Sequence, residues 1–428
     1  MALFGRDSLI ASYQTMLHDP SLARGTLRAL SNLQGERENR DTLEEPGRIL
    51  HEYRSGIATS AQRKIPRFPY YGTIDATPLF LIVVSEYVRV TGDLDFVRTI
   101  WGNVERALRW VTDASDRDGD GLISYDPGPD GWLQNLGWKD SGDSVRFRDG
   151  TIAHPSIALV EVQGYAVDAF RRVAELLDAF GKPGAGDLRK RADRLARAID
   201  GRFWMEDRAY FAEAVDGSRK RVDALTSNPG HLLWAGVIER QRAVRMAEVL
   251  LSAELFSGFG VRTMGTAEGG YNPLSYHNGS VWPHDNSLIL DGLARFQMDD
   301  HVRKLAEAML AALSSYPDHR WPELFDGYDR SNFAQPIAYP DANSPQAWAT
   351  GAVVLLVRAL LGISVDAIRH TVTLHPVAVE GASFLRLRGV PVGGVRVDIE
   401  ARFGERSPEV SVSGLPQGWT WQHAARSS

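Results

Sequence analysis

A chain of 428 residues, 43% hydrophobic and 24% charged, is long enough for one large core and a small satellite. A net charge of −6 without a basic tract argues against nucleic acid partners, and no apolar run reaches the about 18 residues that a membrane span needs. The lack of cysteine excludes disulfides, thiolate nucleophiles and thiolate-bound metals. The opening Met-Ala-Leu-Phe-Gly-Arg-Asp has neither the basic start nor the apolar stretch of a secretory signal, so a cytoplasmic location is expected.

Apolar residues recur with helical period through most of 1–362. They predict helices over 7–18, 22–34, 75–91, 94–113, 155–180, 186–200, 229–236, 238–251, 285–296, 300–314 and 344–361. Several are paired across short linkers such as Thr91-Gly92-Asp93 and Met298-Asp299-Asp300, the pattern of αα-hairpins. Long segments rich in Gly, Pro, Trp and Asn separate the pairs at 36–73, 115–150, 257–283 and 317–343. They exceed ordinary bundle connections and read as functional loops. The expected fold is mainly α, an (α/α)6 toroid of helical hairpins over 1–364, with one short helix placed within 203–228. After 364 the pattern changes to period two at 370–375, 383–388 and 395–400, predicting a small antiparallel β module over 365–428. Trp419 and Trp421 are read there as packing a small β core rather than binding sugar.

The chemistry concentrates in the loops. Asp140 lies in Gly137-Trp-Lys-Asp-Ser-Gly-Asp-Ser144, and Glu323 lies in Trp321-Pro-Glu-Leu-Phe-Asp-Gly-Tyr328. Hydrolysing a glycosidic bond takes a protonated carboxyl beside the leaving oxygen and a second carboxylate that activates water or attacks the anomeric carbon, with the two pKa values pushed apart. Asp143, one short turn from Asp140, would raise the pKa of whichever is less solvated. Aromatic neighbours of Glu323 would partly desolvate it.

Other loops supply groups suited to sugar hydroxyls. Arg6 and Asp7 would clamp a vicinal pair, the alternative being an Asp7 helix cap beside a surface arginine. Arg48, Glu52 and Asp75 are further binding candidates, Asp75 being equally a cap. Trp138 and Lys139 flank Asp140. In Tyr276–Asn286, Trp282 offers a stacking platform, while His277, Asn278 and His284 offer hydrogen bonds. The two histidines are too far apart for one helical metal face, so zinc is not expected. No nucleophile elbow, phosphate loop or dinucleotide fingerprint occurs. Asp116, Asp118 and Asp120, with Gly121, copy the first half of a calcium loop, but position 12 is Pro127 rather than the closing Glu. A self-bonded Asp/Gly turn is the favoured reading there, structural calcium the alternative. No other cofactor is expected.

Phe4-Gly-Arg-Asp-Ser-Leu-Ile10, Glu45-Pro-Gly-Arg48 with His51-Glu-Tyr53, Tyr71-Gly-Thr-Ile-Asp-Ala-Thr-Pro78, Gly137–Ser144, Asn278-Gly-Ser-Val-Trp-Pro-His-Asp-Asn286 and Glu323-Leu-Phe-Asp-Gly327 occur in the expected order for one group of proteins. Together they resemble the glycogen-debranching and amylo-α-1,6-glucosidase-like (α/α)6-barrel proteins, relatives of the six-hairpin glycosidases. The resemblance implies Asp140 as general acid and Glu323 as the base that activates water. It implies Arg6 and Asp7 as holders of a terminal glucose, and Trp282 as pocket wall. Related trehalases would point to Asp143 as the acid instead; Asp140 is preferred. Members usually carry a β-rich domain ahead of the Phe4 segment, which this chain is expected to lack. The implied activity is that of an inverting, exo-acting α-glucosidase on α-glucosides or α-glucan oligosaccharides. The alternatives are a non-catalytic carbohydrate-binding barrel, or a sugar epimerase using His277 and His284 as proton shuttles.

Overall fold

The computed structural model describes residues 2–54, 69–114, 119–128, 133–404 and 407–424. Six helices form an inner ring: α1 (Gly5–Thr15), α3 (Ala76–Thr91), α6 (Val160–Ala179), α8 (His231–Ala235), α10 (Pro283–Arg295) and α12 (Ala347–Leu361). Each packs on the next, and α12 packs back on α1, closing the toroid. Outside them lie α2 (Pro20–Asn32), α4 (Leu94–Thr99) with α5 (Trp101–Ala114), α7 (Ala185–Phe203), α9 (Arg240–Leu250) and α11 (Asp299–Ser314). A helix enclosed on all sides must be apolar all round, and α3 is buried at every position except Arg89 and Thr91. Outer helix α7 instead buries only one stripe, Ala185, Leu188, Ala192, Leu195, Ile199 and Phe203, at helical spacing.

Two helical expectations change. The predicted 94–113 helix is broken at Ile100, because Asp93 caps a separate short helix by accepting from the Phe96 N–H at 2.9 Å. The segment 203–228 holds strands rather than a helix: β4 (Trp204–Met205) pairs with β5 (Tyr210–Phe211), and β6 (Ala214–Val215) lies between β3 (Ala158–Leu159) and β7 (Arg221–Val222). Short apolar pairs punctuated by Asp, Gly and Arg turns are too brief to sustain a helical face there. Where α10 crosses α8, Gly292 is required, since a Cβ would stand 2.5 Å from the Trp234 nitrogen.

Beyond α12 the described residues form six strands: β8 (Ser364–Asp366), β9 (Thr371–Leu374), β10 (Phe384–Val392), β11 (Val395–Arg402), β12 (Glu409–Ser413) and β13 (Thr420–His423). β10, β11 and β12 form an antiparallel sheet. In the second sheet β13 runs parallel to β9, with Thr420 opposite Thr371, so the module is not purely antiparallel. Period-two alternation identifies a strand but not the direction of its neighbour. Trp419 stacks on His370 and closes over Gly393.

The inner helices point one set of ends at a single face. At that face β1 (Ala2–Phe4) pairs antiparallel with β2 (Glu52–Arg54), fixing the entry to α1. At the opposite ends Glu86 of α3 accepts from Arg172 of α6 and Arg358 of α12, both at 2.8 Å, tying three inner helices together. Among the described residues no helix is long and apolar enough to cross a membrane.

Candidate active site

The N-terminal ends of α1 and α12, with loop residues around 138–140, 276–282 and 323–346, line a cavity of about 700 Å³. Arg6, Asp7, Trp138, Asp140, Tyr276, His277, Trp282, Glu323, Asn343, Gln346 and Trp348 are among its lining residues. The two carboxylates singled out in the sequence therefore share one cavity.

Arg6 organises its floor. Placed in the first turn of α1, it is 3% exposed rather than at the surface. Its Nε donates to Asp75 Oδ2 at 2.7 Å, and its Nη2 donates to the Gly137 carbonyl at 2.8 Å. Nη1 stands 3.9 Å from Asp140 Oδ2. Asp75 occupies the cap position of α3 without capping it; its other oxygen accepts from the Thr73 hydroxyl at 2.6 Å. It thus serves Arg6 and does not line the cavity.

Asp140 remains 29% exposed at its side chain, open to the cavity. Burial pushes its carboxyl up to about 6, Arg6 opposing and the charges of Asp75 and Glu323 reinforcing the rise. The raising charges are these two, not Asp143 as its sequence proximity suggested. Asp7 is pushed up to about 7, again chiefly by burial, with Asp140 and Glu323 adding to the effect and Arg6 opposing it. Gln346 Nε2 reaches Asp7 Oδ2 at 3.4 Å.

Glu323 is carried by a chain segment that bridges Val281 at Phe325. Tyr276 donates its hydroxyl to Oε1 at 2.8 Å, while the Asn343 backbone N–H and side-chain amide donate to Oε2 at 3.0 and 2.7 Å. Burial and the adjacent carboxylate hold the Tyr276 phenol protonated, well above its ordinary range.

Aromatic rings build the wall. Trp138 stands edge-on to His277, Trp282 and His284. Trp282 stacks on His277 with centroids 5.2 Å apart and is 1% exposed, so one of its faces is already occupied. His277 Nδ1 contacts the Ser141 hydroxyl at 2.7 Å, and burial holds the ring neutral.

Several binding candidates fall outside the cavity lining. Arg48 points its guanidinium at the Thr73 and Leu43 carbonyls and lies over Trp110, bracing the loop. Glu52 is buried and pairs with Arg54; Lys139 is buried and pairs with Glu213. His284 is fully buried, stacked on Trp348 at 3.7 Å, and held neutral by burial. Asp143 is half exposed, pairs with Arg146 at 3.3 Å and accepts from the Asn278 amide at 3.1 Å. Asp116 and Asp118 lie outside the described residues. Asp120 accepts from the Leu122 N–H at 3.0 Å and faces Arg202 at 3.4 Å. Among the described residues no group of three or more metal-binding side chains is assembled.

Sequence reasoning passed over Asn343, Gln346 and Trp348. The one local signal was Gln346 ahead of an apolar run, where its side chain accepts from the Trp348 and Ala349 N–H groups as a helix cap.

A family model for the mannosylglycerate hydrolase MGH1-like glycoside hydrolase domain matches residues 7–332. No curated protein sequence matches the chain. Among solved structures, the GH63 mannosylglycerate hydrolase from Thermus thermophilus, in complex with glucose, is similar at 14% identity with a TM-score of 0.61, over 83% of this chain and 93% of that one. A GH78 family rhamnosidase of Bacillus sp. GL1 is similar at 15% identity with a TM-score of 0.66, over 98% of this chain and 39% of that one. A sialidase is similar at 14% identity with a TM-score of 0.59, over 79% and 31%. The chain thus spans well under half the length of the last two. The matching domain is not the debranching group that the motifs resembled. With its closed ring of helical hairpins and acidic pocket, the chain is related to the six-hairpin glycosidases and belongs to the MGH1-like glycoside hydrolase domain family.

Proposed function

We propose that this chain is an inverting, exo-acting glycosidase in which Asp140 is the general acid and Glu323 the general base. The observation that carries the reading is the pairing of both carboxyls in one cavity under different constraints. Asp140 is open to the cavity with its carboxyl raised to about 6, and Glu323 is gripped by three donors. In the proposed step Glu323 takes a proton from water as the water oxygen bonds to the anomeric carbon. The bond from that carbon to the glycosidic oxygen breaks, and that oxygen receives the Asp140 proton. Arg6 stays ionised behind Asp140, and Asp7 with Arg6 would hold hydroxyls of the terminal sugar. Residues 1–364 would form the catalytic unit and 365–428 an accessory β module.

Family membership supports a small α-glycoside as substrate, with mannosylglycerate a candidate beside the α-glucosides that the motifs suggest. A shuttle built on two histidines is not supported, because His284 lies outside the cavity. The test is a panel of α-glucosides, α-glucan oligosaccharides and mannosylglycerate, with reducing-sugar release and NMR of the first-formed anomer. Turnover with inversion is expected, and Asp140→Asn and Glu323→Gln should each lower kcat by ~10²-fold or more. Parent-like rates in either variant, or binding without turnover across the panel, would overturn the reading.

A further inference from the structure

We infer that Asn343 is a positioning residue that selects which oxygen of Glu323 acts as base; the inference rests on the assignment of Glu323 proposed above. Residues 330–347 form a largely exposed strap that reaches the cavity from Asn343 onward, and Asn343 is itself exposed. Yet it makes three bonds to a residue that is 5% exposed. Its backbone N–H and Nδ2 both donate to Glu323 Oε2, and its carbonyl accepts the Glu323 N–H at 3.0 Å. Each carboxylate oxygen offers two lone pairs. Two donors saturate Oε2, and Tyr276 takes one site on Oε1, so the remaining acceptor site toward a water is on Oε1. The backbone bonds alone would tie the strap down. The amide adds a second donor to the same oxygen, which fixes the carboxylate's rotation as well as its place.

Exposure of Asn343 makes its substitution tolerable to the fold, so the effects should be kinetic. Using mannosylglycerate and α-D-glucosyl fluoride, Asn343→Ala should lower kcat by about tenfold or more while KM stays within about twofold. The melting temperature should fall by no more than a few degrees, the cost of one hydrogen bond. Asn343→Asp places a like charge against Glu323, and the acid limb of kcat/KM should shift upward by about one pH unit. Parent kcat and pH profile in both variants, with Glu323→Gln inactive, would overturn this inference and leave the base assignment standing. An active Glu323→Gln would overturn both.

Discussion

Asp140 must carry a proton to do its proposed work, and its carboxyl is raised to about 6. At pH 8 only about one molecule in a hundred would hold that proton, so kcat/KM on a glycoside with a poor leaving group should fall about tenfold per unit above pH 6. Replacing Asp140 by Asn removes the proton altogether. The loss at pH 5.5 should be ~10²- to 10⁴-fold, and the alkaline limb should vanish with it. Fluoride leaves without protonation, so α-D-glucosyl fluoride isolates the acid from the base. On that substrate the parent enzyme should lack the alkaline limb near pH 6, and Asp140→Asn should retain most of its turnover while Glu323→Gln does not. Initial rates across pH 4–9 with both substrates, in all three proteins, decide the matter. An alkaline limb of equal depth on the fluoride, or one that survives Asp140→Asn, would refute the role given to this carboxyl.

Two further perturbations test the frame around the pocket. Glu161, fully buried on α6 and bonded to the Asn228 amide at 2.9 Å, is pushed up to about 7 by burial, with His231 opposing. Its folded-state value lies above the unfolded one, so its contribution to stability is complete at low pH and is lost as pH rises toward 7. Glu161→Gln should abolish that loss, up to ~3 kcal/mol in chemical denaturation at pH 8 against pH 4.5; an unchanged slope would count against the assignment. Gly5→Ala would put a Cβ 2.0 Å from the Leu50 carbonyl oxygen, displacing the first turn of α1 that carries Arg6 and Asp7. Expected are a stability loss of ~1–3 kcal/mol and a fall in kcat/KM of about 10²-fold, and parent values for both would show that the strand–helix junction yields instead.

How much of this was legible in the sequence differs by layer. The inner helices announced themselves because enclosure demands apolar runs such as those of α3 and α12, and the long connections marked the functional end. Glu323 and Asp140 were found as pocket carboxyls from their aromatic and glycine-rich surroundings. What the chain could not disclose was which polar groups face the cavity and which serve one another. Arg6 and Arg48 sit in similar Gly-Arg settings, yet one backs Asp140 and the other braces carbonyls. Asp140 and Asp143 are three residues apart, but only one lines the cavity. Asn343 meets Glu323 across 20 residues of strap with no periodic or motif signal. Trp282 is a wall whose face is shared with His277, a distinction set by packing rather than by residue type.

The pocket's charge balance gives an argument for its chemistry that does not depend on any one residue's role. Asp7, Asp140 and Glu323 line it beside the buried guanidinium of Arg6, which Asp75 pairs with from behind the lining; Arg54, also in the lining, is already paired with Glu52. Burial and the crowding of like charge raise two of these carboxyls, Asp7 to about 7 and Asp140 to about 6, against the opposing pull of Arg6. Asp75 is bonded to Arg6 Nε and to the Thr73 hydroxyl, and Glu323 has three donors. Asp7 and Asp140 have fewer donors and are the two with raised values, so a proton held near pH 6 to 7 sits on one of them. The N-termini of α1 and α12, which border the cavity, would by themselves favour ionised carboxylates there. Burial and the crowding of acids work the other way, so that near pH 6 a carboxyl facing the cavity keeps a proton in a large share of molecules, as the proposed acid requires.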